Sequence, residues 1–338
     1  MTLKSSTAPL SQAYDAAIYD LDGVCYRGQE PIEYAGESIT AAVSEGQKAV
    51  YLTNNAARTP ASIGEHLRSL NIPANDSEVY TAAMAGAELA AGEIPAGSKV
   101  FVIGGEGLVW ALTQKGFTVV DSADDDPAAV VQGFHATVGW QVMSEGALAI
   151  RKGAVFIATN LDATLPQERG FMLGNGALVK AVEHATGVVP LATGKPLPKV
   201  FEQAANAVDA KNPIAVGDRL NTDIRGSVAA GVDSLHVLTG VSDARDVALA
   251  VPEERPTFLA KDLRGLNEAH EAPVTQDGRA ELGSEWAEVV DGKLTTSGSL
   301  PGASMDLYRC VVAACWAAVD DGTRREDLFD QLTELVVE

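Results

Sequence analysis

Short apolar runs recur along the chain, each ending on a polar or charged residue and each followed by a stretch with helical spacing. Residues 16–19 form the first run. It ends on Asp20, with Asp22 two positions on and Gly23 next, where the backbone can turn sharply. Helical spacing over 32–45 stops at Gly46, a C-cap residue type. Residues 49–53 make a second run, ending on Thr53 before Asn54 and Asn55. Thr59-Pro60 opens a further helix with Ile63, Leu67 and Leu70 on one face. Strands are predicted at 100–103, 118–120, 130–132 and 154–158, and helices at 108–115, 142–151 and 177–186. Thr193-Gly194-Lys195-Pro196 then leads to a helix over 198–210. Residues 214–217 repeat the opening pattern: the run ends on Asp218, and Asp223 falls where a helix begins, a place that stabilises a carboxylate. Strands at 235–238 and 257–260 flank a helix over 244–249. Such alternation favours a parallel sheet, and in parallel sheets the carboxyl ends of the strands carry the site. Asp20, Asp22, Thr53 and Asp218 all fall at such ends.

The rhythm breaks beyond about Glu268. Residues 272–338 read as an appended module with a strand at 287–290, an amphipathic helix at 305–319 and a final helix through Leu328, Leu332 and Leu335. No catalytic motif lies there, so an interaction or structural role is expected. Residues 1–12 are polar and Ser-rich, lack the apolar core of a signal peptide, and read as a loose tail. The acidic stretch 121–126 reads as a solvated loop. Gly104-Gly105-Glu106-Gly107 follows a strand, but Trp110 occupies the third glycine position of a dinucleotide loop, so turn formation or packing is the better account.

Composition narrows the function. A chain of 338 residues, 46% of them apolar, holds two or three domains with a substantial core. A net charge of -21 argues against nucleic-acid or anionic-membrane partners, so attraction of an anionic substrate must be local. No apolar run approaches a membrane span. Cys25, Cys310 and Cys315 are odd in number and lack metal-ligand spacing, which suits reduced thiols and a cytoplasmic location.

Crowded carboxylates ionise together only where a cation or strong donors compensate. Asp20, Asp22, Asp218 and Asp223 with Lys195 and Thr53 suit Mg²⁺ and a phosphate ester: the metal relieves carboxylate repulsion, lysine and hydroxyl meet the remaining phosphoryl oxygens, and a carboxylate can attack phosphorus. Asp20-Leu21-Asp22-Gly23-Val24, Thr53-Asn54-Asn55, Gly194-Lys195-Pro196 and the stretch from Gly217 to Ile224 resemble the four ordered motifs of the haloacid dehalogenase superfamily. In detail they resemble its p-nitrophenylphosphatase/NagD-like branch, over about 15–266.

That resemblance implies an α/β fold: a Rossmann-like parallel-sheet core (1–82 plus 187–267), an inserted α/β cap domain (83–186) and a small C-terminal α+β module (272–338). It implies Asp20 as nucleophile and, with Asp218 and the backbone carbonyl of Asp22, as Mg²⁺ ligand. Asp22 would be the general acid and then the base, which requires a proton affinity unlike that of Asp20. Thr53, Asn54 and Lys195 would hold the phosphoryl group, and Asp223 would position a metal-bound water or Lys195. The cap would roof the site and select the leaving group, with Asn160 and Asp162 as substrate-side candidates from Thr159-Asn160-Leu161-Asp162. Gly174-Asn175-Gly176-Ala177 matches a second cap segment. His135 departs from the branch, which usually carries Asp there. The C-terminal extension resembles that of actinobacterial glycerol-3-phosphate phosphatases, and so leans the substrate toward glycerol 3-phosphate. Phosphoglycolate, pyridoxal phosphate, sugar phosphates and nucleotides are the alternatives, followed by a phosphotransferase or phosphomutase, and then a catalytically silent binding protein. Caps of this branch often pair, which makes a homodimer through the cap one candidate assembly. The expected partner is otherwise a small phosphate ester, with no nucleic acid and no membrane.

Overall fold

The computed structural model describes residues 2–167 and 169–338. They fold as two units, one of residues up to Tyr51 with Leu67–Pro73 and Val208–Glu338, the other of Leu52–His66 with Ala74–Ala207. In the first unit the strands Phe258–Ala260, Asp233–Val237, Pro213–Gly217 and Ala16–Tyr19 lie side by side and parallel, followed by Lys48–Tyr51 of the strand Lys48–Thr53. Every residue of Ala16–Tyr19 is buried, as an interior strand of a covered parallel sheet requires. The register pairs Tyr19 with Val216, so Asp20 and Asp218 leave the sheet at the same carboxyl edge.

The C-terminal segment of this unit is a four-stranded antiparallel sheet, Val274–Gln276, Arg279–Leu282, Glu285–Val290 and Lys293–Thr296. Two of its hairpins turn on Asp277-Gly278 and Asp291-Gly292, all four residues at positive φ, the conformation of a two-residue turn matched to strand twist. The helix Met305–Asp320 begins at Ser304, whose hydroxyl accepts the Leu307 N–H at 3.1 Å. Its buried face (Tyr308, Val311, Val312, Cys315, Trp316) shares one apolar core with Ile224, Ala244, Val247, Ala248 and Leu259. Burial pushes the Cys310 and Cys315 thiols up to about 12, so both remain protonated.

The second unit holds a five-stranded parallel sheet in the order Leu191–Ala192, Val155–Ala158, Ala129–Gln132, Lys99–Ile103, Thr118–Val120. Alternate residues serve opposite faces: Val100, Val131 and Ile157 pack with the helices Ala82–Glu93 and Glu106–Gln114. Phe101, Val130 and Phe156 pack with Trp140–Arg151 and Asn175–Thr186. This period of two, covered on both sides, is the pattern of a doubly wound sheet.

Two expectations change. The N-terminal segment is no loose tail: buried Leu10 starts the short helix Leu10–Ala13, and Ser6 pairs with His270 through 2.7 and 2.9 Å backbone bonds. Apolar Leu3 and Leu10 supply the burial that a count of serines conceals. The expected final helix divides into Arg325–Phe329, a 3₁₀ turn Asp330–Leu332 and the strand Val336–Val337, which pairs with Pro301–Ala303. Leu328, Leu332 and Leu335 are all buried, so the spacing identified the apolar face while strand pairing took the last residues. Among the described residues no helix is long and apolar enough to cross a membrane.

Candidate active site

Asp20 follows its buried strand directly, and its N–H donates to the Val216 carbonyl at 2.9 Å. The chain then wraps on itself: the N–H groups of Cys25 and Tyr26 return to the Leu21 carbonyl, and the Cys25 thiol donates to the Asp20 carbonyl at 3.4 Å. Gly23 sits at φ +93°, and a Cβ there would stand 2.6 Å from Asp218 Oδ2. Both conformation and space therefore demand glycine.

Asp218, at the end of Pro213–Gly217, is 1% exposed. Its Oδ2 accepts the Val241 N–H at 2.6 Å, and its carbonyl accepts Ser242 N–H at 3.0 Å and His236 Nε2–H at 3.1 Å. Burial pushes the His236 imidazole down to about 4, against the smaller effect of that carbonyl, so it is neutral near pH 7. Asp223 lies within the π-turn Leu220–Ile224, and its Oδ2 accepts the Arg219 N–H at 3.2 Å. Gly217 leaves room for it, since a side chain there would strike Asp223.

Asp20, Asp218 and Asp223 each present a carboxylate oxygen, all within 4.8 Å of one another. Two unit charges at that separation repel by about 3 kcal/mol for an effective dielectric of ~20. Opposite ligands of Mg²⁺ at ~2.1 Å stand about 4.2 Å apart, so hard oxygen donors in this envelope fit that ion. Asp223, expected to act on a bound water or on Lys195, thus brings its own carboxylate into the cluster. The Asp22 side chain is exposed and outside this carboxylate group. Gly240 also borders Asp218: a Cβ there would fall inside the Asp218 carboxylate. Gly240→Ala is expected to raise the Mg²⁺ concentration for half-maximal activity by about tenfold or more, a shift of ~1.4 kcal/mol, in a metal titration of the purified enzyme.

The second unit holds a different set. Thr53 is buried, and its hydroxyl accepts the Asn55 N–H at 3.1 Å. Lys195 is 4% exposed, with its ammonium donating to the Leu52 carbonyl at 3.3 Å. The Asn54 side chain bonds to the Lys195 backbone and to Asp162. Asn160 Nδ2 donates to the Asn54 carbonyl at 2.9 Å, and Asn175 Nδ2 to the Asn160 carbonyl at 2.9 Å. Asn160 and Asp162 are thereby joined to the loops bearing Thr53 and Lys195. Asn175 belongs to this network but carried no role in the sequence reading. The flanking glycines could have marked it: side chains at Gly174 or Gly176 would collide with the carbonyls of Asp162 or Leu161. His135 bonds to Thr137 at 2.8 Å and packs where Gly105 lacks a side chain, a local turn contact.

Residues 17–118 match the family model for haloacid dehalogenase-like hydrolases, and residues 192–266 match a second, HAD-hydrolase-like model. The chain belongs to the haloacid dehalogenase-like hydrolases, as a phosphoric monoester hydrolase. Among particular proteins, it is 41% identical over 259 residues to the D-glycerol 3-phosphate phosphatase of Mycobacterium tuberculosis, covering 77% of this chain and 72% of that protein. The crystal structure of the glycerol phosphate phosphatase from Mycobacterium tuberculosis in complex with calcium superposes with a TM-score of 0.83 at 35% identity, over 98% of this chain and 100% of the other. Its magnesium complex gives 0.80 at 35%, over 99% and 95%. A double mutant of the thermostable NPPase from Geobacillus stearothermophilus gives 0.67 at 35%, over 75% of this chain and 98% of the other.

Proposed function

We propose that the chain hydrolyses glycerol 3-phosphate with Mg²⁺ through an aspartyl-phosphate on Asp20. The observation that carries the substrate is the extent of likeness. The mycobacterial glycerol phosphate phosphatase structure matches 98% of this chain, whereas the NPPase structure matches 75%. Mg²⁺ is supported by the carboxylate cluster and by the magnesium complex of the mycobacterial protein. Asp20, Asp218 and Asp223 would hold the ion, which when bound supplies charge neutralisation to carboxylates and phosphoryl oxygens.

The residues then divide the work. An Asp20 oxygen attacks phosphorus while the bond to the glycerol oxygen breaks, and Asp22 gives that oxygen its proton. Asp22, now ionised, takes a proton from the water that hydrolyses the acyl phosphate and regenerates Asp20. Its exposure favours proton exchange with solvent. Thr53 and the Lys195 ammonium bind the phosphoryl oxygens, and residues 83–186 act as the cap that selects the leaving group.

Phosphate release from a panel of esters with Mg²⁺ tests the substrate. Glycerol 3-phosphate is expected to exceed phosphoglycolate, pyridoxal phosphate, sugar phosphates and nucleotides by about tenfold or more in kcat/KM, roughly 1.4 kcal/mol of differential transition-state binding. Preference for a sugar phosphate would replace glycerol 3-phosphate in this reading while leaving the phosphatase mechanism intact.

A further inference from the structure

The Asn54 carboxamide has three polar hydrogen-bond positions in use, and two of them hold the same residue. Its Oδ1 accepts the Lys195 N–H at 2.8 Å, and its Nδ2 donates to the Lys195 carbonyl at 3.0 Å. The second Nδ2 hydrogen goes to Asp162 Oδ2 at 3.0 Å. A primary amide has two N–H donors, so both are committed and neither is left for a phosphoryl oxygen. A side chain at Gly194 would stand 2.9 Å from Asn54 Oδ1, on a backbone at φ +84°, so the chain preceding Lys195 is shaped to admit this amide.

We propose that Asn54 is a positioning residue for Lys195, and that Asp162, accepting the second N–H, fixes which way the Asn54 amide points. This rests on Lys195 serving the phosphoryl group, as read above. The carboxylate at Asp162 makes the orientation one-way: only the NH₂ edge can face it, which leaves Oδ1 for the Lys195 N–H. The Asn160–Asp162 segment then acts on catalysis through the lysine rather than by touching the leaving group. Asn160 supports the same loop, donating to the Asn54 carbonyl and accepting the Asp162 N–H at 3.2 Å.

Steady-state kinetics on p-nitrophenyl phosphate with saturating Mg²⁺ supply the test, with thermal melts as a check on folding. Asn54→Ala is expected to lower kcat roughly 30-fold or more with KM changed less than about threefold, because orientation of the ammonium matters most as charge develops. Asp162→Ala should lose about 5–10-fold, and the double variant should match Asn54→Ala within about twofold. In a Lys195→Ala background, Asn54→Ala should cost less than about threefold more. Multiplicative losses in either pair would overturn the proposal, since they would mean direct and separate contacts with substrate. Should Asn54→Ala fail to fold, the isosteric Asn54→Asp serves instead: it sets two carboxylates together, and Asp162→Asn added to it should recover about fivefold or more by reversing the bond. Absence of that recovery would also overturn it. Activity of Asp20→Asn addresses the phosphatase reading separately.

Discussion

Asp20→Asn is expected to abolish turnover of p-nitrophenyl phosphate, by roughly 10⁴-fold or more, because an amide oxygen is too weak a nucleophile to form the acyl phosphate. The same variant should melt higher than the native chain when Mg²⁺ is removed. Asp20, Asp218 and Asp223 hold their oxygens within 4.8 Å, and like charges that close repel one another. Neutralising one member relieves about 3 kcal/mol per pair at an effective dielectric of ~20, less whatever relaxation already relieves. Mg²⁺ should then raise the melting temperature of the native chain more than that of the variant, since binding to the folded state alone stabilises it. Loss of activity with a gain in metal-free stability is the mark of a group kept for chemistry at the expense of the fold. Melting curves with and without Mg²⁺, run beside the assay, read both effects. Turnover within about tenfold of native would remove Asp20 as the nucleophile.

The strand ends were legible because a buried parallel strand leaves a plain trace: apolar residues on every position, then a carboxylate or hydroxyl where the chain leaves the sheet. Asp20, Thr53 and Asp218 were found in that way. Asp223 was found as a helix-start residue, but its share in the carboxylate cluster depends on the π-turn Leu220–Ile224 and on the missing side chain at Gly217, neither of which has a period to read. Asn54 was placed beside the phosphate by its position in a motif. Which way its amide faces is decided by Lys195 and Asp162, more than a hundred residues away, and no local pattern carries that. The C-terminal sheet shows the opposite case. Asp277-Gly278 and Asp291-Gly292 are hairpin signals present in the sequence, yet only the strand at 287–290 was drawn from that region. Short strands with exposed faces, such as Val274–Gln276, have too little apolar alternation to be seen without their turns.

Removing residues 272–338 is expected to cost the first unit its fold rather than only a partner. The sequence favoured an appended module, for which deletion would leave kinetics unchanged and alter only assembly. The structure gives that module the larger part of a shared core: Trp316 lies among Val247, Ala248 and their neighbours, with its Nε1–H donating to the Val247 carbonyl at 2.9 Å. Arg255 is fully buried, its guanidinium bonded twice to Asp320 at 2.7 and 2.8 Å and lying 5.2 Å from the Trp316 ring centroid. Deletion would strip the apolar cover from Val247, Ala248 and Leu259 and open that core to water. A domain stable by about 5–15 kcal/mol does not survive the loss of that much buried apolar surface. The shortened chain should therefore be insoluble or melt without cooperativity. A single Asp320→Ala substitution isolates the ionic part. Asp320 is half exposed, so water can take up some of the loss, and the cost should fall to about 1–3 kcal/mol, a drop in melting temperature of a few degrees. Trp316→Ala should cost more, about 3–5 kcal/mol, by opening a cavity in the shared core and stranding the Val247 carbonyl. A shortened chain that melts cooperatively within a few degrees of the full one, with its phosphatase activity intact, would make residues 272–338 an appendage after all.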